Sequence, residues 1–199
     1  MSENNNDDNN IIEVKAILLG DVSVGKTSLI NVSVGMPFNP SEKATISSSF
    51  VEKKIKICSQ EYNINLWDTA GNERFRSLTN IFYKGSQIVI FVYDISQKQS
   101  FIGLKKWVED VENIIDNKYI CGIVGNKQDL YSQEEVKEEE VKEYADSKGM
   151  KYKLVSAKGN PKGFNDFLEE LVVDGKNCFK SKKKIPLKKS IQKKKSCTC

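Results

Sequence analysis

GDVSVGKT, residues 20–27, begins on the last glycine of the apolar run IIEVKAILLG (11–20) and leads into a stretch of helical period over 26–35. These eight residues match G-x-x-x-x-G-K-[ST], and they stand between a strand and a helix, the setting that gives the pattern its meaning. In such a loop the backbone N–H groups from Ser23 through Val24, Gly25, Lys26 and Thr27 to Ser28 turn inward, and the helix N-terminus adds the positive end of its dipole. A polyphosphate thereby regains the hydrogen bonds it gives up to water. Lys26 is placed to reach the outer phosphates, and Thr27 to offer its hydroxyl to Mg²⁺. On this loop alone an ATPase or a small-molecule kinase fits equally well.

The rest of the chain repeats the same alternation. Apolar, β-rich runs recur at 49–59, 62–68, 87–94, 119–126 and 151–156, and stretches of helical period lie at 100–117, 134–148 and 161–174. In the last of these, Phe164, Phe167, Leu168 and Leu171 make one apolar stripe behind Pro161. Strands alternating with helices imply an α/β fold, a mostly parallel sheet with helices on both faces. The runs 49–59 and 62–68 are joined by too short a turn for a crossover and should form an antiparallel hairpin at one edge.

Composition splits the 199 residues into an acidic body and a basic tail. Ten lysines and no acids fall between Lys176 and Cys199, which leaves residues 1–175 with 21 basic against 27 acidic side chains. An acidic body argues against a nucleic-acid-binding core, whose footprint is a basic patch on the folded face. A mobile basic tail instead suits acidic lipid or protein. The lead MSENNNDDNN (1–10) holds too little apolar surface to order itself. The domain organisation expected is thus a disordered lead 1–10, a folded domain 11–175 and a basic tail 176–199. Cys58 and Cys121 fall in strand-like runs and read as buried free thiols, and the odd cysteine total suits a reducing compartment.

The base is decided by NKQD, residues 126–129, which follows a buried strand. There the Asp129 carboxylate can accept from both the N1–H and the exocyclic amine of guanine. Adenine lacks that donor pair and would leave the carboxylate dry and unpaired. The stem of Lys127 can lie over the base, and Ser156-Ala157-Lys158 offers a backbone N–H to the guanine oxygen. Loop, NKQD and SAK all fall at the carboxyl ends of strands, where open α/β sheets bind their ligands.

With these motifs in this order, together with WDTAGNERFRSL (67–78), FYKGS (82–86) and VSAK (155–158), the chain resembles the small GTPases of the Ras superfamily and, within it, the Rab family. The resemblance covers residues 12–175 and the last three. It implies a P-loop NTPase G domain with a six-stranded, mostly parallel sheet and one antiparallel edge strand, binding GTP or GDP with Mg²⁺. It further implies that Thr45 binds Mg²⁺ and the γ-phosphate, that Phe38 lies near the guanine, that Asp68 holds the metal from behind, and that the Gly71 N–H contacts the γ-phosphate. Residues 36–47 and 69–84 are then the two switches, ordered by the γ-phosphate and relaxed by its loss. Its implied partners are an exchange factor, a GTPase-activating protein, an escort protein or dissociation inhibitor, and trafficking effectors. The protein is expected to be a monomer.

Three departures bear on catalysis and partners. After DTAG the family has a glutamine that orients the attacking water; Asn72 keeps the amide one methylene short. Val22 stands where Rab proteins usually have serine and Ras proteins glycine, in space shared by the water and an incoming arginine finger. Slow intrinsic hydrolysis is expected, with Asn72, Gly71 and Lys26 as the catalytic groups and a GTP-holding module of negligible turnover as the alternative. The third, Ser47 in place of the glycine of T-I-G, alters the effector surface. At the other end, KKKSCTC places cysteines at 197 and 199. The pair resembles the doubly geranylgeranylated Rab terminus, and two lipid chains beside lysines hold a membrane where one chain is marginal. The alternative, a zinc or redox pair, has no histidine in the chain to support it. The location expected is the cytoplasmic face of an intracellular membrane, cycling with cytosol.

Overall fold

The first strand, β1 (Ile12–Leu19), sits at the centre of the sheet and sends its side chains alternately to two apolar layers. In the computed structural model, which describes residues 11–46, 48–71, 81–115 and 119–179, the strands run in the order β2-β3-β1-β4-β5-β6. The others are β2 (Ser49–Ile57), β3 (Gln60–Asp68), β4 (Ile88–Asp94), β5 (Ile120–Asn126) and β6 (Lys151–Leu154). All pairings are parallel except β2 with β3. The expected fold class, a six-stranded α/β sheet with one antiparallel edge strand, is the one found.

Both faces are covered because the central strands are apolar on both sides. Val14, Ala16 and Leu18 of β1 join Ile88, Ile90 and Val92 of β4 in one core, beneath α1 (Lys26–Ser33) and α4 (Pro161–Gly175). Ile17 and Leu19 join Val89, Phe91 and Tyr93 in the other, beneath α2 (Lys98–Ile114) and α3 (Glu138–Ser147). The stripe Phe164, Phe167, Leu168 and Leu171 is wholly buried, and α4 starts where its sequence says it should, with Pro161 in the first turn and the Asn160 side chain accepting from the Gly163 N–H at 3.2 Å. Past α4 the chain continues to pack, since Phe179 is buried edge-on against Tyr62 of β3.

Three expectations are corrected. Cys58 is not a buried thiol: it is exposed at the corner of the β2–β3 hairpin, with φ 55°, because the ladder closes at Ile57 and Gln60 and leaves only two residues to turn. Cys121, in β5, is half-buried, and burial pushes its thiol up to about 11. The helix expected from 134 begins at Glu138 instead, because the Glu135 and Val136 N–H groups both donate to the Ile95 carbonyl and hold that stretch extended. A short 3₁₀ helix, Gln128–Gln133, precedes it.

Candidate functional site

β1, β3, β4, β5 and β6 all deliver their carboxyl ends to one rim of the sheet, and the loops leaving that rim enclose a cavity of about 430 Å³. Ser23, Gly25, Lys26, Thr27 and Ser28 line it, with Thr45 against Thr27 and Gly71 against Lys26 at one end. Asn126, Lys127, Asp129, Ala157 and Lys158 line it on the side of the 126–129 and 156–158 loops, and Phe38 is also in its wall. Val24, Asp68 and Ser156 stand just behind the wall, all buried. Asn72, Ser47, Cys197 and Cys199 lie outside the described residues.

Gly25 is required twice over at the turn into α1. Its φ is 95°, and a Cβ there would stand 2.3 Å from the Asn126 side-chain nitrogen. That nitrogen donates to the Val24 carbonyl at 2.8 Å, so the base loop is tied directly to the phosphate loop. The Asn126 oxygen in turn accepts from the Ala157 N–H at 3.2 Å. Asp129 accepts from the Ser156 hydroxyl, and the Gln128 N–H donates to the Val155 carbonyl at 3.0 Å. Lys127, in the left-handed region at φ 66°, pairs at 2.6 Å with Asp94, a fully buried carboxylate at the end of β4. Sequence reading missed Asp94. Its signal was an acid closing an otherwise apolar strand, QIVIFVYD.

At the phosphate end the polar groups are less completely served. Lys26 is 5% exposed, and burial lowers its ammonium to about 8 against the opposing pull of Asp68 and Asp21. It donates to the Gly20 and Asp21 carbonyls at 2.8 and 2.9 Å. Thr27 Oγ1 lies 2.8 Å from Asp68 Oδ2 and 2.8 Å from Thr45 Oγ1, and Thr45 Oγ1 lies 3.1 Å from Asp68 Oδ2. Three close oxygen pairs share two hydroxyl protons, so one pair always meets lone pair to lone pair. Asp68 Oδ1 is buried without a hydrogen-bond partner, and burial raises the carboxyl above its ordinary range. An oxygen-only set with one carboxylate, two hydroxyls and surplus lone pairs fits a small hard cation such as Mg²⁺. Gly71 abuts this end: a Cβ on it would be 2.5 Å from the Asp21 carbonyl and 2.6 Å from Lys26 Nζ.

A glycine loop between strand and helix, an oxygen cluster that fits a hard cation and the Asp129 carboxylate in the wall of the same cavity are the features of a P-loop nucleotide-binding protein. The model of the Ras family matches residues 15–176. The chain is 41% identical over 160 residues to Ras-related protein Rab-21 of Homo sapiens, covering 80% of this chain and 69% of that one. It is 40% identical to Rab-21 of Geodia cydonium, covering 74% of this chain and 64% of that one, and 36% identical to Rab-30 of Homo sapiens, covering 80% and 76%. The chain therefore belongs to the Ras family of small GTPases, and its relatives are Rab proteins, GTPase switches of membrane trafficking that handle GTP and GDP with Mg²⁺. Among the described residues no helix is long and apolar enough to cross a membrane.

Proposed function

We propose that this chain is a Rab-type switch whose GTP form recruits trafficking effectors and whose intrinsic hydrolysis is slow. The observation that carries the switch is Thr45: it comes from the otherwise irregular segment 36–46, yet its hydroxyl lies 2.8 Å from that of Thr27 and within reach of Asp68. A segment tethered at one residue to the phosphate end can be held or released according to what that end contains.

In this reading Asp129 selects guanine, Lys127 covers the base with its head held by Asp94, and Ala157 and Lys158 face the guanine oxygen. Lys26 and the Gly71 N–H oppose the charge that develops on the transferred phosphoryl oxygens. Asp68 draws the hydroxyl protons of Thr27 and Thr45 and leaves their lone pairs facing the metal position. Mg²⁺, when bound by Thr27 and Thr45 with Asp68 behind them, neutralises phosphate charge. Val22 lines the cavity and is 45% exposed, and in this reading its branched side chain crowds the approach of the attacking water. With Asn72 one methylene short, both changes weaken the same step. Phosphate release from protein preloaded with GTP tests this. Asn72→Gln is expected to speed it, and Val22→Ser to add to the gain. A wild-type rate equal to that of Asn72→Gln would remove any catalytic meaning from residue 72, and no release even with an activating protein would favour the GTP-holding module.

The proposed regulators are an exchange factor, a GTPase-activating protein and an escort protein or dissociation inhibitor. Membrane attachment is proposed through prenyl groups on Cys197 and Cys199, supported by the lysines before them. Cell fractionation tests it: Cys197→Ser with Cys199→Ser should be cytosolic, and equal membrane fractions for both proteins would leave only the lysines.

A further inference from the structure

Asp21 is the second residue of the phosphate loop, and its side chain does not face the cavity. It turns into the α2 face of the sheet, where one carboxylate oxygen accepts from the indole N–H of Trp107 at 2.9 Å, across 86 residues of sequence. Trp107 is wholly buried in the core between the sheet and α2, so the donor is held rigidly. The other oxygen fills a notch left by Gly103, one helical turn earlier on α2: a Cβ on Gly103 would stand 2.2 Å from Asp21 Oδ2. A side chain at 103 would push the carboxylate out of this seat.

The same residue's backbone serves the phosphate end. The Asp21 carbonyl accepts from Lys26 Nζ at 2.9 Å, and it abuts Gly71, where a Cβ would come within 2.5 Å of it. Side chain and carbonyl belong to one residue, so anchoring the carboxylate restrains the backbone that seats the Lys26 ammonium.

We propose that Asp21 and Trp107, seated in the Gly103 notch, form a positioning pair that locks the first turn of the phosphate loop to α2 and so fixes Lys26 and Gly71 against the terminal phosphate. The proposal rests on the reading of Lys26 and Gly71 as phosphate contacts. It adds that α2, which contributes no group to the cavity, sets their aim. An indole N–H to a carboxylate is a charge-assisted hydrogen bond, short and directional, and it takes no part in the chemistry itself. Misplacement of a group that stabilises charge by a fraction of an ångström to an ångström lowers rates by up to about a hundredfold.

The test uses the full chain loaded with Mg²⁺ and fluorescent GTP or GDP, as wild type, Asp21→Ala, Asp21→Asn, Trp107→Phe and Gly103→Ala. Single-turnover hydrolysis and nucleotide release are both followed. Asp21→Ala and Trp107→Phe are expected to slow hydrolysis about tenfold or more and to speed GTP release more than GDP release, because the misplaced groups serve the terminal phosphate. Asp21→Asn, whose amide oxygen still accepts from the indole, should recover most of the rate. Gly103→Ala guards against loss of the fold: alanine favours the helix and both partners remain, yet the carboxylate must move, so the same slowing is expected in a protein that still unfolds in one cooperative transition. Hydrolysis within twofold of wild type in folded Gly103→Ala and Trp107→Phe would overturn the pair. So would equal speeding of GTP and GDP release with hydrolysis unchanged, which is what a merely structural contact would give. A wild-type chain that does not prefer GTP to ATP would instead overturn the reading on which the pair rests.

Discussion

The two ends of the cavity are built on opposite plans. At the base end every polar group named has a protein partner: Asn126 spans Val24 and Ala157, Asp129 takes the Ser156 hydroxyl, and Lys127 is paired with buried Asp94. At the phosphate end Asp68 keeps an unpartnered oxygen, three oxygens crowd together with two protons, and a buried ammonium is content only with carbonyls. A satisfied network is a rigid frame, whereas an unsatisfied one stores a demand for a ligand. In the proposed function the base end holds specificity that does not depend on nucleotide state, and the phosphate end is the part that responds to what is bound.

The largest effect should come from damaging the rigid end. Asp129→Asn puts an amide where guanine's two donors need two acceptors, and a site built around such hydrogen bonds rejects the mismatch by about 10⁴-fold. Displacement of fluorescent GDP measures it, and a loss under tenfold would mean that Asp129 does not read the base. GTP and GDP should suffer alike, because the base end does not see the γ-phosphate.

Damage to the responsive end should be smaller and of two signs. Asp68→Asn removes the carboxylate that orients the two threonine hydroxyls, and the Mg²⁺ dependence of nucleotide affinity should weaken by about 10- to 100-fold. The nucleotide-free protein should melt higher, however. A buried carboxyl with a raised pKa is less stable ionised in the fold than in the unfolded chain, so at neutral pH its charge works against folding and the neutral amide relieves this. A lower Tm in the nucleotide-free variant would show that the carboxylate is already satisfied, and the contrast between the two ends would fail.

The smallest effect is on pH. Lys26 has its pKa lowered to about 8 by burial, so in the nucleotide-free protein it loses its proton as pH rises through about 8, well before the unfolded lysine does. Between there and the unfolded value the unfolded chain binds more protons, and stability from this group rises with pH. Affinity for GDP must move the other way, since the phosphates need the charged form; it should fall by less than about tenfold per pH unit above 8. Titration calorimetry on wild type and Lys26→Met would show it, and an equal pH slope in both would detach the effect from Lys26.

What the sequence revealed follows the same division between local and distant. Buried parallel strands read as apolar runs, and a glycine loop between strand and helix is written in eight consecutive residues, so the sheet, its antiparallel edge and the motif residues of the cavity wall were legible, whereas Asn39, Pro40 and Leu130, which also line it, belong to no motif. The 3₁₀ turn at 128–133 was not, nor the late start of α3, because both are decided by hydrogen bonds to Val155 and Ile95 from another part of the chain. Cys58 misled because an apolar run does not mark which of its residues turns the corner. Asp94 beneath Lys127, and Asp21 against Trp107, are single residues meeting across 33 and 86 positions, and no periodicity announces such pairs.

The most direct measurement is competition for the loaded cavity. Unlabelled GTP, GDP and ATP are titrated in Mg²⁺ against fluorescent GDP bound to the full-length wild-type chain. GTP and GDP should displace the probe at comparable concentrations, and ATP should need on the order of 10⁴-fold more, as expected of a site whose base-reading carboxylate is left without its donors. ATP displacing the probe as readily as GTP would contradict this, because Asp129 would then have no part in choosing the base.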